Sequence, residues 1–313
     1  MSKLVVAPFA PLRRYISREI WLTLSTLVWN HDWYWYETHA LPPGRELLPD
    51  VLRDFFGIVP EVVLFWESYM DVARHTRWLH DVGTRVYVMT DDLHKERQGM
   101  REGLLTADGV LSTYPLPFAE RFPQVDRARV TWIPHSASSD FVLPLAPNPR
   151  YRQVFVSGAT NELYPLRMLM RGLGMRRPEL VRVQDHPGYR IDYAYPEDVR
   201  VGRGYAQSIR SCLAGFTDAS RNRYIVAKHF EIPATGALLL ADRTVAPELA
   251  ELGFIDGEHY VSVTADDYEP IVERVLDPGN ADEIDAIRAR GHQLVYERHT
   301  TAHRAMQIDA VCV

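Results

Sequence analysis

Short runs of apolar, often β-branched residues alternate with helix-spaced segments along almost the whole chain, and this rhythm restricts the fold more than any other feature. In the first half, Leu4–Pro8 (LVVAP), EVVLFW after Pro60, TRVYVMTDD, GVLSTY and RVTWIPH read as strands. Arg14–Leu27 and Met70–Val82 carry helical spacing between them, the second closed by Gly83. Continuous apolar strands separated by helices predict a parallel sheet covered on both faces. The rhythm stalls at LPLAPNPRYR, residues 143–152, where three prolines and no apolar periodicity mark a domain boundary. It resumes with QVFVSG, YPLRMLMRGLG, LVRVQDHPG, YAQSIRSCLAGF, GALLLAD and DDYEPIVERVL, then one long closing helix from Asp282 to Gln307. The expected architecture is α/β: two Rossmann-like domains, residues 1–146 and 147–313, facing across a cleft, with the last helix returning toward the N-domain. Open parallel sheets bind ligands beyond the carboxyl ends of their strands. The site is therefore expected on the loops after the C-domain strands, opposite matching loops of the N-domain.

Composition narrows the function. The 313 residues are 46% hydrophobic and 24% charged, the balance of a core-forming globular chain. A formal net charge of -6 lacks the excess of Lys and Arg that a nucleic-acid surface needs. Cys212 and Cys312 are the two cysteines and form no CxxC, which suits a reducing cytosol, so a cytoplasmic location is expected. The most apolar run, Ile20–Trp29, is far shorter than the roughly 20 residues of a membrane span. A soluble chain is expected, with room left for peripheral membrane contact. A phosphate-binding P-loop, GxGxxG, GxSxG, HExxH and aspartate-x-aspartate are all missing from the sequence, which argues against NTPase, dehydrogenase, hydrolase and metal-site chemistry.

The most informative stretch is DASRNRYIVAKHFEIPATGALLLAD, residues 218–242. Lys228 precedes Glu231, small residues and Gly236 follow, and then comes a buried strand. A basic side chain at a helix start can neutralise a diphosphate. A carboxylate can accept two vicinal hydroxyls, and a glycine allows a close turn. The plainer reading is a helix-surface ion pair between Lys228 and Glu231 at i, i+3. In FVSGATNELYPLR, residues 155–167, Ser157 and Gly158 end a strand whose backbone N–H groups can face a phosphate, and Arg167 follows on the first helix turns.

KHFEIPATGALLLAD resembles the donor-site signature of GT-B glycosyltransferases of the group-1-like branch. FIDGEHYVSVTADDYEPIVERVLD and VYERHTTAHRAMQ resemble that family's later run and closing helix, so the resemblance covers most of residues 151–307. It implies that Glu231 holds the ribose and that Lys228 or Arg223 holds the pyrophosphate. It also implies that Gly236 makes the turn, and that Ser157, Gly158, Arg167 and Tyr224 complete the donor site. Many retaining members carry a glutamate eight positions before the ribose one. Here that position is Arg223, a departure that leaves the stereochemical class open and is similar to the spore-maturation glycosyltransferase-like proteins. The implied activity is transfer from a nucleotide diphosphate sugar donor to a hydroxyl of a glycan or related acceptor, without cofactor or metal. The alternatives are a sugar-nucleotide epimerase of the same fold and a non-catalytic nucleotide-sugar-binding protein.

In the N-terminal half, WNHDWYWYE (29–37) gathers five aromatics around His31 and Asp32, and MTDDLH (89–94) presents Asp91 and Asp92. Asp32, His31 or Asp92 would serve as the base of an inverting enzyme. Neighbouring residues of an extended segment face opposite ways, so at most one of Asp91 and Asp92 faces the cleft. The plainer readings are a buried aromatic cluster at a turn and helix capping. His135 in WIPHSASSDF is either near the cleft or structural.

Overall fold

In a computed structural model, the structure describes residues 2–37, 52–54, 57–145, 148–159, 161–190, 192–195 and 198–313. None of their helices is long and apolar enough to cross a membrane. The chain divides into two compact units. One comprises Met1–Arg13, Ile20–Pro134 and Ala302–Val313, the other Arg14–Glu19 and His135–Thr301. The sequence places the crossing at 146/147, residues outside the described set. Residues from His135 onward already pack within the second unit: Phe141 meets the Tyr205 ring edge-on, and Leu143 O accepts from His292 Nε2 at 2.8 Å.

The first unit holds a parallel sheet of six described strands: β1 (Lys3–Ala7), β2 (Trp33–Glu37), β3 (Val62–Trp66), β4 (Arg85–Thr90), β5 (Gly109–Ser112) and β6 (Val130–Trp132). Their order is β2-β1-β3-β4-β5-β6. Every residue of β1 and β3 is buried, as the continuous apolar runs require. The stretch read as an aromatic cluster at a turn is instead the end of helix Glu19–Asn30 followed by β2. Only Trp33 and Tyr36 of that edge strand are buried, so its aromatic content hid the pattern. Val5, Val62, Leu64, Leu111 and Ile133 form the core with Ala305, Ile308 and Cys312 of the helix Thr301–Cys312. The closing segment is two helices, Ala281–Arg298 and Thr301–Cys312, rather than one. His299 leaves helical geometry at φ -132°, and Thr300 bridges to Ala137.

The second unit holds β7 (Tyr151–Ser157), β8 (Val181–Gln184), β9 (Cys212–Thr217), β10 (Leu238–Asp242) and β11 (Val261–Val263). These are all parallel, in the order β11-β10-β9-β7-β8. Val154, Val156, Leu213, Leu238 and Leu240 pack against Met170, Leu173, Val272 and Ile287 from the covering helices. Each such buried aliphatic side chain contributes roughly 1.5–3 kcal/mol. In both sheets the strand order reverses beside the first strand: at β1/β3 in one unit and β7/β9 in the other. Reversal opens a crevice at the carboxyl ends, where ligands of open α/β sheets bind.

Candidate functional site

The β7/β9 crevice gathers most of the expected donor-site residues. Ser157 ends β7, and Gly158 follows with φ +121°, a backbone region open to glycine and strained for other residues. A Cβ at Gly158 would sit 2.7 Å from Arg167 Nη1 and 3.1 Å from Lys228 Nζ. The missing side chain is what lets the two cations meet this loop. Ser157 is buried and hydrogen-bonds with the Tyr205 hydroxyl.

Arg167, in the first turn of helix Pro165–Arg176, does not present its charge as the sequence implied. It is 2% exposed. Its Nη2 donates to Asp218 Oδ1 at 2.7 Å, and its backbone N–H to Asp218 Oδ2 at 3.0 Å. Nη1 donates to Ala159 O at 2.9 Å, and the guanidinium lies 4.0 Å from the Tyr164 ring centre. Asp218 is the first residue after β9. Burial pushes its pKa up, against the pull of Arg167. The pair is a buried, mutually neutralised clamp that fixes the Gly158 loop, which leaves Lys228 as a cation of this site without an ion pair among the described residues.

Lys228 and Glu231 lie on the helix Lys228–Ala234. The surface-pair reading fails, because Glu231 is 6% exposed and no ion pair joins it to Lys228 among the described residues. Burial pushes the Glu231 carboxyl up to about 7, opposed by the Lys228 charge and assisted by Glu19 and Asp140, while His135 pulls it down. Burial pulls Lys228 down to about 8, reinforced by Arg167 and opposed by Glu231 and Asp218. Both charges are thus costly in the unliganded protein, and a ligand with hydroxyl donors and negative oxygens would relieve both.

A pH dependence follows. A carboxyl whose folded pKa is raised holds its proton in the folded state while the unfolded chain has lost it. Its contribution is complete below the unfolded value, near 4.5, and is lost as pH rises through about 7. Wild type is therefore expected to lose stability from pH 5 to 7.5 relative to Glu231→Gln, which has no proton to lose. Urea unfolding across that range measures the difference, and parallel curves would contradict the burial of the carboxyl.

The other expected residues are spread more widely. Arg223, with φ +55°, donates from Nη2 to Glu248 Oε1 at 2.7 Å, so its charge is already matched. Tyr224 is 4% exposed and packs in the core. Gly236 turns at φ +84°, and its carbonyl accepts from Arg288 Nε at 3.1 Å. His135 Nδ1 donates to Glu19 Oε2 at 2.8 Å; Glu19 Oε1 also accepts the Ser136 N–H and hydroxyl at 2.6 and 3.0 Å. His135 is thus a held residue in the polar surround of Glu231. In the first unit, His31 and Asp32 precede β2, at the amino end of a parallel sheet and away from its ligand-binding edge. His31 Nδ1 lies 3.5 Å from Asp309 Oδ2, and Asp32 turns the chain at φ +58°. Asp92 is half-engaged at the surface, paired with Lys95. Asp218 and His186 were missed by sequence reasoning. Burial and the Lys228 and Arg167 charges bring His186 down to about 4, so it faces the cations neutral. Each follows a strand of the sheet closely, which was the available signal.

Residues 182–310 match the model of a family described as Glycosyl transferase-like. No curated protein sequence matches the chain. Among solved structures, HepE of Anabaena in complex with UDP-glucose is similar at 10% identity and TM-score 0.60, over 99% of both chains. A glycosyltransferase from Rickettsia africae is similar at 8% identity and TM-score 0.60, over 99% of this chain and 97% of its own. A putative UDP-N-acetylglucosamine 2-epimerase from Listeria monocytogenes reaches TM-score 0.53 at 13% identity, over 98% and 94%. The chain spans only 54–60% of the length of some other matches. At these identities the likeness is one of fold, the GT-B arrangement of two Rossmann-like α/β halves.

Proposed function

We propose that this chain, whose fold is GT-B and whose residues 182–310 match a family described as Glycosyl transferase-like, moves a glycosyl group from a nucleoside diphosphate sugar to a hydroxyl of a glycan or related acceptor. The observation that carries this reading is the buried carboxylate of Glu231 beside Lys228, unpaired with it, at the carboxyl edge of the second sheet. In the proposed roles Glu231 accepts from the two ribose hydroxyls, and Lys228 meets the diphosphate. Gly158 admits the diphosphate close to the backbone, and Arg167 with Asp218 positions that loop. Negative charge grows on the departing diphosphate, so a preorganised cation there lowers the barrier. The acceptor falls to the first unit.

A thermal-shift screen with UDP, GDP, ADP and dTDP and their sugars tests the reading directly. A ligand of the native state raises the unfolding temperature, by about 2.7 kcal/mol of stability at a hundredfold excess over Kd. Failure of every nucleotide to shift the transition would sink the proposal, and binding without turnover would reduce it to a binding protein. Transfer is expected to survive EDTA, since Lys228 takes the role that a divalent ion has elsewhere. Loss of activity rescued by Mn²⁺ or Mg²⁺ would refute metal independence.

A further inference from the structure

One group beside the donor crevice has no part in the roles given to Glu231, Lys228 and Gly158. His186 lies two residues beyond β8, within the second unit. In that sheet β7 stands between β9 and β8. Ser157 and Gln184, the last residues of β7 and β8, are partners in register. The chain therefore leaves neighbouring strands, about 4.8 Å apart, toward Gly158 on one and His186 on the other. Lys228 reaches the same Gly158 loop from the β9 side, its Nζ 3.1 Å from where a Cβ of Gly158 would stand. An anion seated over Gly158 has Lys228 on one flank and the chain around His186 on the other.

The imidazole is held in one state. Gly188, turning at φ +97°, donates its N–H to His186 Nδ1 at 3.0 Å. Nδ1 is thus the unprotonated nitrogen, and the proton sits on Nε2. Protonating Nδ1 would set one N–H against another, so the turn itself disfavours the imidazolium. The Tyr193 hydroxyl donates to Gly188 O at 2.5 Å and fixes the turn. The Tyr189 ring lies against the imidazole, with ring centres 4.6 Å apart. Burial, then the Lys228 and Arg167 charges, act in the same direction and bring the ring down to about 4. A purely structural role is complete with Nδ1, which staples the turn. Nε2–H takes no part in that staple. It has no hydrogen-bond partner among the described residues, and it is not one of their sealed polar atoms. A reachable N–H beside a lysine selects an acceptor that carries negative charge.

We propose that His186 is a binding residue for the nucleoside diphosphate and donates from Nε2 to a phosphate oxygen on the flank opposite Lys228. This rests on the glycosyl-transfer reading and needs only groups of the second unit. A neutral donor adds a hydrogen bond to the diphosphate without adding a third cation. That matters here, because the Arg167 charge already works against the protonated Lys228.

The test is calorimetric titration of the full chain with UDP, GDP, ADP and dTDP, and with the matching nucleoside of whichever binds. His186→Ala is expected to lower affinity for that diphosphate about fivefold or more, with affinity for the nucleoside within about twofold of wild type. His186→Gln, whose side-chain amide can donate from near the place of Nε2, is expected to stay within about threefold of wild type. In ¹⁵N-labelled wild type, saturation with the diphosphate is expected to move the His186 Nε2 resonance while Nδ1 stays unprotonated. An unchanged diphosphate affinity in His186→Ala, an equal loss for the nucleoside, or an Nε2 resonance unmoved at saturation overturns the proposal. A loss in His186→Gln as large as in His186→Ala also overturns it and leaves His186 as the staple of the turn alone. Should His186→Ala not fold, the Nε2 resonance of wild type decides. If wild type binds none of the four diphosphates, the glycosyl-transfer reading fails and takes this proposal with it. If Glu231→Ala loses affinity and His186→Ala does not, this proposal alone falls.

Discussion

Glu231→Ala is expected to weaken nucleoside diphosphate binding by about 1.5–3 kcal/mol, tenfold or more in affinity, with the fold intact. The cost comes from losing charged hydrogen bonds to a hydroxyl pair in a site that excludes water. The same substitution is expected to leave the unliganded protein at least as stable, because it removes a buried carboxylate without a hydrogen bond or ion pair among the described residues. These opposite signs identify a residue kept for a ligand at some expense to stability. Lys228→Ala is expected to reduce turnover more than nucleotide affinity, because the charge it meets is larger in the transition state. Calorimetric titration of both variants with the nucleoside diphosphate, beside urea unfolding, gives all the quantities. Unchanged affinity in Glu231→Ala would remove it from the site, and a large fall in stability would make it structural.

Asp218→Ala is expected to cost about 3–5 kcal/mol of stability, because it strands the Arg167 guanidinium in a site where that residue is 2% exposed. Burial already raises Asp218's pKa despite the arginine, so the environment opposes the charges individually and tolerates them only together. Replacing both, Arg167→Met with Asp218→Leu, is expected to recover most of that loss, since apolar packing of similar volume avoids the desolvation of two ions. Urea unfolding of the three variants decides it. A loss below about 1 kcal/mol in Asp218→Ala would mean that the pair is not the clamp described. The double variant should still bind nucleotide diphosphate poorly, because the Nη1 bond to Ala159 O that fixes the loop is gone.

Much of the parallel-sheet architecture was legible because strands buried on both faces cannot hide their composition: EVVLFW, QVFVSG and GALLLAD all became β-strands. The edge strand Trp33–Glu37 escaped, because a half-solvated strand of tryptophans and tyrosines has no apolar contrast to read. The break at His299 also escaped, since it depends on Thr300 bridging to Ala137, a partner far away in sequence. At the site, Glu231, Lys228 and Gly158 were visible as local motifs. What local motifs could not convey was the state of each charge. Arg167 and Arg223 looked equivalent to Lys228 until Asp218 and Glu248 were seen beside them. Asp32 and His31 attracted attention by their aromatic neighbours, yet only sheet direction shows that they lie at the amino ends of the strands.

The helix Thr301–Cys312 supplies Ala305, Ile308 and Cys312 to the core of the first unit, and its Asp309 receives Lys3 Nζ at 2.6 Å and Trp33 Nε1 at 2.7 Å. During synthesis the segments of the second unit therefore leave the ribosome as a nearly complete set before the first unit has all of its interior. The first unit's sheet must wait, with part of its apolar face open, until residues 302–312 emerge. Vectorial folding, which usually favours the earlier half of a chain, is here reversed. Nascent chains halted near residue 301 would expose the surface that Ile308 and Cys312 later cover.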